Sequence, residues 1–584
     1  MTSLVNAESI LVIDVGSVST RAALFDVVAG HYRFLASGKA PSTADAPFHN
    51  ISEGVRMALD HLQTITGRKL IGPDEQLIMP TASDGSGVDN FAATLSAGEP
   101  LKIIAIGLLD DVSLESACHL ANTVFCKLMQ VFSLNDRKKQ DTKINAILRS
   151  HPNLIIAAGG TENGASQSVI KLMETIGLAC YLLPANQRPE ILFAGNQALQ
   201  EELASSIGGI TPVHFAPNIR PSLDVEQLEA SQIQLARICT QIKARQIPGV
   251  DELDRWAKGG LIPTSLAFGR VIRFLSKVQK SNKSVLGIDV GASGTSVAIA
   301  LDGELKLNVF SEYGLGNGLI DLLEYIAPNL IMRWLPVDIS EERLREYLVN
   351  KSFYPSSFPA TTEDMAIEQA LTRQMIRSAM KSTLKEVQGR VTFTVDGTLP
   401  WFEPIVATGS VLTQIPNLAL CTLMLLDGLQ PTGVTTLVLD QNQIAPALGA
   451  AAAVNPHMVV QILDSNSFLH LGTVISPIGN SRPGTPILRA KITYASGHET
   501  SVEVKQGSLE VLPLPYGQSA RLHLHPLHRY DIGMGAPGRG GGLRVNGGAL
   551  GVIIDARGRP LKIPENRSVH QELQKKWIWT LGGR

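Results

Sequence analysis

Aromatic residues make up only 5% of the 584 residues, cysteines number five, and 53 acidic side chains are nearly cancelled by 51 basic ones. Each scarcity closes off a class of protein. The five cysteines (Cys118, Cys126, Cys180, Cys239, Cys421) are scattered, odd in number and without a Cys-x-x-Cys pair, so they read as core thiols rather than disulfides, metal ligands or holders of an iron–sulfur cluster. A formal net charge of −2 leaves no basic footprint for nucleic acid or an anionic membrane. No apolar run reaches the ~18 residues of a spanning helix; the longest candidates, Leu418 to Leu426 and Ile444 to Val454, have the length of core helices. Met1 to Ser9 lack the basic start of a secretory signal, so cytoplasmic residence is expected. His523, His525 and His528 form the one local histidine cluster, with no nearby carboxylate or cysteine to complete a zinc site.

What the chain does contain is a repeat. Ile13-Asp14-Val15-Gly16-Ser17-Val18-Ser19-Thr20 returns as Ile288-Asp289-Val290-Gly291-Ala292-Ser293-Gly294-Thr295. Each copy lies between β-branched apolar runs, Ile10 to Ile13 and Ala22 to Phe25 in the first, Val285 to Ile288 and Val297 to Leu301 in the second. Strand, Gly-Ser or Gly-Ala turn, strand is the pattern of a β-hairpin. A tip of glycine and small hydroxyl residues lets backbone N–H groups approach a phosphate, while an Asp carboxylate can hold the waters of Mg²⁺. Two such tips facing one ligand would clamp the phosphate tail of ATP or ADP. The candidate site is therefore Asp14, Gly16, Ser17, Ser19, Thr20 and Arg21 with Asp289, Gly291, Ser293, Gly294 and Thr295. Asp14 is expected to hold metal-bound water, and Asp289 to orient or deprotonate the attacking water.

The paired hairpins resemble those of the superfamily that unites actin, sugar kinases such as hexokinase, and heat-shock chaperone ATPases. That resemblance implies an adenosine-binding turn after a later strand, and Ile405 to Leu412, with Thr408-Gly409-Ser410 at its centre, fits. It also implies a small-residue helix packed across the interface between halves, which Ala445 to Ala453 supplies.

Length predicts about three to five domains. Four blocks are expected: a first actin-like subdomain over 1–94, an inserted α/β domain over 95–262, a second actin-like half over 263–456 and a β-rich domain over 457–584. In the first, strands near 9–14, 20–27 and 31–37 precede a helix Ile51 to Ile65 and a strand Gln76 to Met79. The second alternates strands (Leu101 to Leu109, Asn153 to Ala158, Cys180 to Pro184, Ile191 to Ala194, Pro212 to Ala216) with helices (Leu114 to Phe132, Ser166 to Ile176, Gln197 to Ile207, Val225 to Gln246), which implies a mainly parallel sheet. Its Ala158 to Gly164 turn either receives an anion at a helix start or serves only as a tight turn, and Glu162 would repel an anion. Short alternating runs in the last block, Ile487 to Tyr494, Thr500 to Lys505 and Ala520 to His525, predict an antiparallel β-domain. Its glycine-rich stretch Gly533 to Gly542 reads as a contact loop, with Arg539, Arg544, Arg557 and Arg559 as anion handles or plain surface.

Several phrases together look like the glutamate mutase L family: Asp14-Val15-Gly16-Ser17, Ala158-Gly159-Gly160-Thr161, Phe193-Ala194-Gly195-Asn196, Ile262-Pro263-Thr264 and Thr408-Gly409-Ser410. The similarity covers about residues 8–456. It implies an actin-like ATPase that reactivates an adenosylcobalamin-dependent mutase. Arg21 stands where a Lys is frequent, and Glu162-Asn163 where Asp-Gly is more usual. The 275-residue spacing of the hairpins also resembles reactivases of diol dehydratase and the hydantoinase and oxoprolinase enzymes. Alternatives are therefore a small-molecule kinase or ATP-dependent amidohydrolase, and a filament-forming actin-like protein; a homo-oligomer fits any of these.

Overall fold

The computed structural model describes residues 8–279, 283–387 and 398–582. Residues 1–7, most of the stretch Met1 to Ser9, lie outside the described residues. Two sheets are built to one plan. In the first, His31–Pro41, Ser19–Val28, Ile10–Val15, Asn90–Leu95 and Ile262–Pro263 lie side by side. The first three strands are antiparallel neighbours and the last two join in parallel. In the second, Glu304–Phe310, Thr295–Leu301, Ser284–Val290, Phe402–Thr408 and Gly433–Leu439 repeat that order and polarity. The chain is thus a duplicated actin-like α/β fold. Its central strands are fully buried, Ile10 to Ile13 being at most 1% exposed. A strand covered on both faces has to be a continuous apolar run, which is how these strands read in the sequence.

Two helices cross between the halves. Thr264–Val278 leaves the first sheet and packs its Phe268 and Ile272 against Val285, Ala298 and Ala300 of the second. Ala445–Ala451 leaves the second sheet and packs Ala447, Leu448 and Ala451 against Ile10, Val12 and Phe25 of the first. They touch where a Cβ on Gly449 would sit 1.8 Å from the Ala267 carbonyl oxygen. Only glycine permits that approach.

Between the fourth and fifth strands of the first sheet, the chain forms an all-parallel sheet, ordered Cys126–Phe132, Leu101–Ile106, Leu154–Ala157, Glu190–Phe193, Val213–Phe215. Gln140–Ser150 and Gln167–Leu182 cover one face, and Glu115–Ala121 and Glu229–Gln246 the other. The mainly parallel sheet is as expected, but two of its expected elements change, as does one of the first block. The helix expected over Leu114 to Phe132 ends at Ala121, and Cys126–Phe132 is an edge strand. The run Cys180 to Pro184 is the end of a helix, since an apolar stretch without periodicity fits either state. Gln76 to Met79 makes only an isolated bridge, Ile71 to Leu77; the fourth strand of the first sheet is Asn90–Leu95.

After residue 457 the strands divide between two sheets. Glu499–Lys505, Pro486–Tyr494, Ser519–Pro526 and Gly541–Asn546 form a four-stranded antiparallel sheet. Leu469–Ser476, Val552–Asp555 and Leu509–Leu512 instead extend the second sheet to eight strands. A buried ion network fastens this segment: Asp427 accepts from Arg373 and Arg557 at 2.8 and 2.7 Å, and Asp555 from Arg557 and Arg559. Arg557 and Arg559 are therefore structural rather than anion handles, whereas Arg539 and Arg544 are exposed. Among the described residues no helix is long and apolar enough to cross a membrane.

Candidate functional site

The two hairpin tips face one cleft of about 820 Å³, counted with its open mouth. Each tip closes with the same bond, Gly16 N–H to the Ser19 carbonyl at 3.0 Å and Gly291 N–H to the Gly294 carbonyl at 2.9 Å. Asp14, Gly16, Ser17, Ser19 and Arg21 line the cleft from the first half; Asp289, Gly291, Ser293, Gly294, Thr408, Gly409 and Ser410 line it from the second. Thr20 and Thr295 do not. Side chains alternate along a strand, so one residue after Ser19 or Gly294 points inward. Thr20 is fully buried, and Thr295 donates to the Tyr313 carbonyl at 2.6 Å.

The two aspartates occupy matched register positions in unlike surroundings. Asp14 lies opposite Arg21 and beside Thr94; Asp289 lies opposite Ser296 and beside Thr408. Asp14 accepts hydrogen bonds from Thr94 (2.7 Å) and Thr264 (3.1 Å), and Arg21 stands 3.5 Å from its other oxygen. Asp289 accepts none from any described residue. Burial, then repulsion by Asp14 across the cleft, pushes its carboxyl up to about 7, against the pull of Arg21. Two acidic oxygens aimed at one space and poorly compensated favour a divalent cation. No cluster of three or more acidic, histidine or cysteine side chains able to cage a metal exists among the described residues. Magnesium would sit here through water and phosphate oxygens, its usual mode.

Arg21 also donates to Ser410 Oγ at 3.2 Å, spanning the cleft from one half to the other. Gly409, at φ 105°, cannot carry a side chain, because a Cβ would lie 2.2 Å from the Val290 carbonyl oxygen. Its constraint is thus close backbone packing on the second hairpin.

Several cleft residues escaped the sequence reading. Asp440, fully buried, accepts from Ile444 N–H and Ala445 N–H at 2.9 and 2.7 Å, and from Thr408 Oγ1 at 3.1 Å. It ties the turn at Thr408 to the start of the crossing helix, and burial pushes its carboxyl up. Gln443 lines the same side. Phe125 comes from the inserted segment, whose loop is anchored by Val309 N–H to the Asn122 carbonyl (2.7 Å) and Ser311 Oγ to the Cys126 carbonyl (2.7 Å). Nearby, His119 pairs with Glu226 at 2.8 Å and reaches Glu386 of the second half at 3.6 Å. An Asp closing a strand before an Ala-rich helix was the one local sign; the rest are brought in from far along the chain.

The Ala158 to Gly164 turn lies away from this cleft. Asn218 donates to the Gly160 carbonyl (2.9 Å) and to Glu162 (2.8 Å), so the turn is closed on itself.

The profile of the MutL protein family matches residues 10–467. The chain belongs to that family. This is the glutamate mutase L type, distinct from the mismatch-repair protein. The protein MutL of Clostridium tetanomorphum is 22% identical over 398 residues, covering 63% of this chain and 83% of its own. Among solved structures, an ATP-dependent caprolactamase from Pseudomonas jessenii is 11% identical, with TM-score 0.32, covering 85% of this chain and 81% of its own. Nucleotide-free acetone carboxylase is 12% identical, with TM-score 0.31, over 86% of this chain and 82% of its own. Scores this low carry no argument; the fold rests on the strand order above.

Proposed function

We propose that this protein binds and hydrolyses Mg-ATP between its two hairpins and uses the resulting motion to reactivate an adenosylcobalamin-dependent mutase in the cytoplasm. The observation that carries the reading is the pair of identically closed tips facing one cleft with unequal aspartates. The N–H groups of the tips and the hydroxyls of Ser17, Ser19 and Ser293 take the phosphates, and Arg21 adds a positive charge. Thr408, Gly409, Ser410 and Gln443 lie on the adenosine side. Asp14 holds the waters of magnesium, which would neutralise phosphate charge. Asp289, without a hydrogen-bond donor among the described residues, is free to orient and deprotonate the attacking water.

Cleft closure is bistable when nucleotide contacts both halves in one state only. Arg21 and the helix crossing at Ala267 and Gly449 sit where that closure acts. The moving unit is the segment 95–262, which reaches the cleft through Phe125 and grips the second half through Asn122, Cys126 and His119. A mutase client held by that segment would feel the nucleotide state.

The test uses a cognate mutase inactivated by a tightly bound damaged cobalamin, with fresh adenosylcobalamin, ATP and Mg²⁺. Wild type should restore activity and release phosphate, and Asp14→Asn and Asp289→Asn should do neither. Equal recovery with all three proteins, or none with any, overturns the proposal.

A further inference from the structure

Beside the nucleotide cleft lies a second chamber of about 370 Å³, counted with its mouth. It shares Leu95, Ser96, Phe125 and Pro263 with the cleft. These residues belong to the first sheet and the inserted segment, whereas Thr408, Gly409, Ser410 and Gln443 belong to the second half. The chamber thus sits at the junction where the chain passes from the first sheet into the inserted sheet and returns.

Its walls are mainly hydrocarbon, from Leu101, Val124, Phe125 and neighbours, with Lys243 as the one charged residue lining it. Lys243 is 7% exposed. Its ammonium donates to the Glu99 carbonyl and forms no ion pair with any described carboxylate. An ammonium has three donors, so two remain to be used. A buried ammonium held by one neutral carbonyl and by no ion-paired carboxylate is costly. Burial accordingly draws this amine down to about 8, against the opposing pull of Cys239, Glu99 and Asp45. Cys239 in the wall is no nucleophile, since burial pushes its thiol up to about 12.

We propose that this chamber is a second ligand site and that its ligand is a short aliphatic carboxylate, with the carboxylate on the Lys243 ammonium and the hydrocarbon tail against Leu101, Val124 and Phe125. The chemistry of the lining selects this class. A carboxylate satisfies the spare ammonium donors with charge-assisted bonds, a small alkyl group fills the rest, and a second charge would find no partner. The site is independent of whether the client is a mutase. Its occupant would abut the nucleotide at Ser96 and Phe125.

The test is calorimetric titration of the full chain, without nucleotide, with acetate, butyrate and hexanoate, and with butyramide as the neutral shape-matched control. Butyrate should bind saturably and at least about tenfold more tightly than butyramide, the value of one charge-assisted bond. Lys243→Met should abolish the difference, and Asp289→Asn should leave it intact. The wild-type comparison alone keeps the test valid if Lys243→Met fails to fold. Equal binding of butyrate and butyramide, no binding of any carboxylate, or full binding by Lys243→Met would overturn the site. Because ATP is absent, failure here leaves the ATPase reading untouched, and failure of reactivation leaves this site untouched.

Discussion

The two hairpins carry the same turn, the same register and the same aspartate, yet their carboxylates differ. Asp14 is held by Thr94, Thr264 and Arg21, whereas Asp289 has Ser296 across the ladder and no hydrogen-bond donor among the described residues. Duplication supplied two equal tips, and unequal neighbours gave them different chemistry. Burial is the first cause of the rise at Asp289, and what Asp14 has besides is direct contact with Arg21, which faces it where Ser296 faces Asp289. The surrounding sheets diverge in the same spirit: the first is interrupted between its fourth and fifth strands, and the second is extended by three more.

The largest expected effect comes from Asp289→Asn. Losing one preorganised charged group at the reacting centre should cost on the order of a hundredfold or more in ATP turnover, read by phosphate release. The same change should stabilise the nucleotide-free protein. With its folded value raised to about 7, above the unfolded one, Asp289 holds a proton that the unfolded chain gives up more easily. Its contribution to stability is therefore full at low pH and is lost as pH rises from about 4 to about 7. Melting curves should show Asp289→Asn gaining on wild type across that window and holding its advantage above it. A constant difference at all pH values would mean that neither burial nor Asp14 raises the Asp289 carboxyl.

Next in size is the helix crossing. Gly449→Ala forces a methyl into the Ala267 backbone and should destabilise the chain by about 2 kcal/mol or more, measured by denaturant unfolding. Swapping the hairpin difference comes third. Ser296→Arg gives Asp289 the partner that Asp14 has and should lower turnover by about tenfold with less effect on nucleotide affinity. Rates within a factor of two would break the comparison. Smallest is Phe125→Ala, which should cost about 1 kcal/mol at this half-buried position and leave ATPase activity nearly intact. It should, however, weaken the dependence of client binding on nucleotide, seen by pull-down in ATP and in ADP.

The hairpins were legible in sequence because they are local: eight consecutive residues specify strand, turn and charge. So were the alternating elements of the inserted sheet, apart from Cys126–Phe132, where a mainly apolar run after Asn122 reads as more helix, and Cys180 to Pro184, which is a helix end. Thr20 and Thr295 were misplaced by one step of strand alternation. Thr94, Thr264, Asp440 and Phe125 were invisible for a different reason. Thr264 and Phe125 reach the cleft, and Thr94 and Asp440 brace its residues from behind, from strand ends and loops distant in the chain, and nothing within a short window records which ends meet. Gly409 was found, but the backbone approach that requires it is long-range.

The account turns on Asp289 being the uncompensated carboxylate, which Mg-nucleotide must strip of its proton. Proton release on Mg-ADP binding measures this directly, by calorimetry at about pH 6.5 in buffers of different ionisation heat. Wild type should release more than about half a proton, Asp14→Asn less because the repulsion that helps raise Asp289 is gone, and Asp289→Asn close to none, given a wild-type carboxyl at about 7. Equal release by Asp289→Asn and wild type, or no release by wild type while Mg-ADP binds, would contradict it.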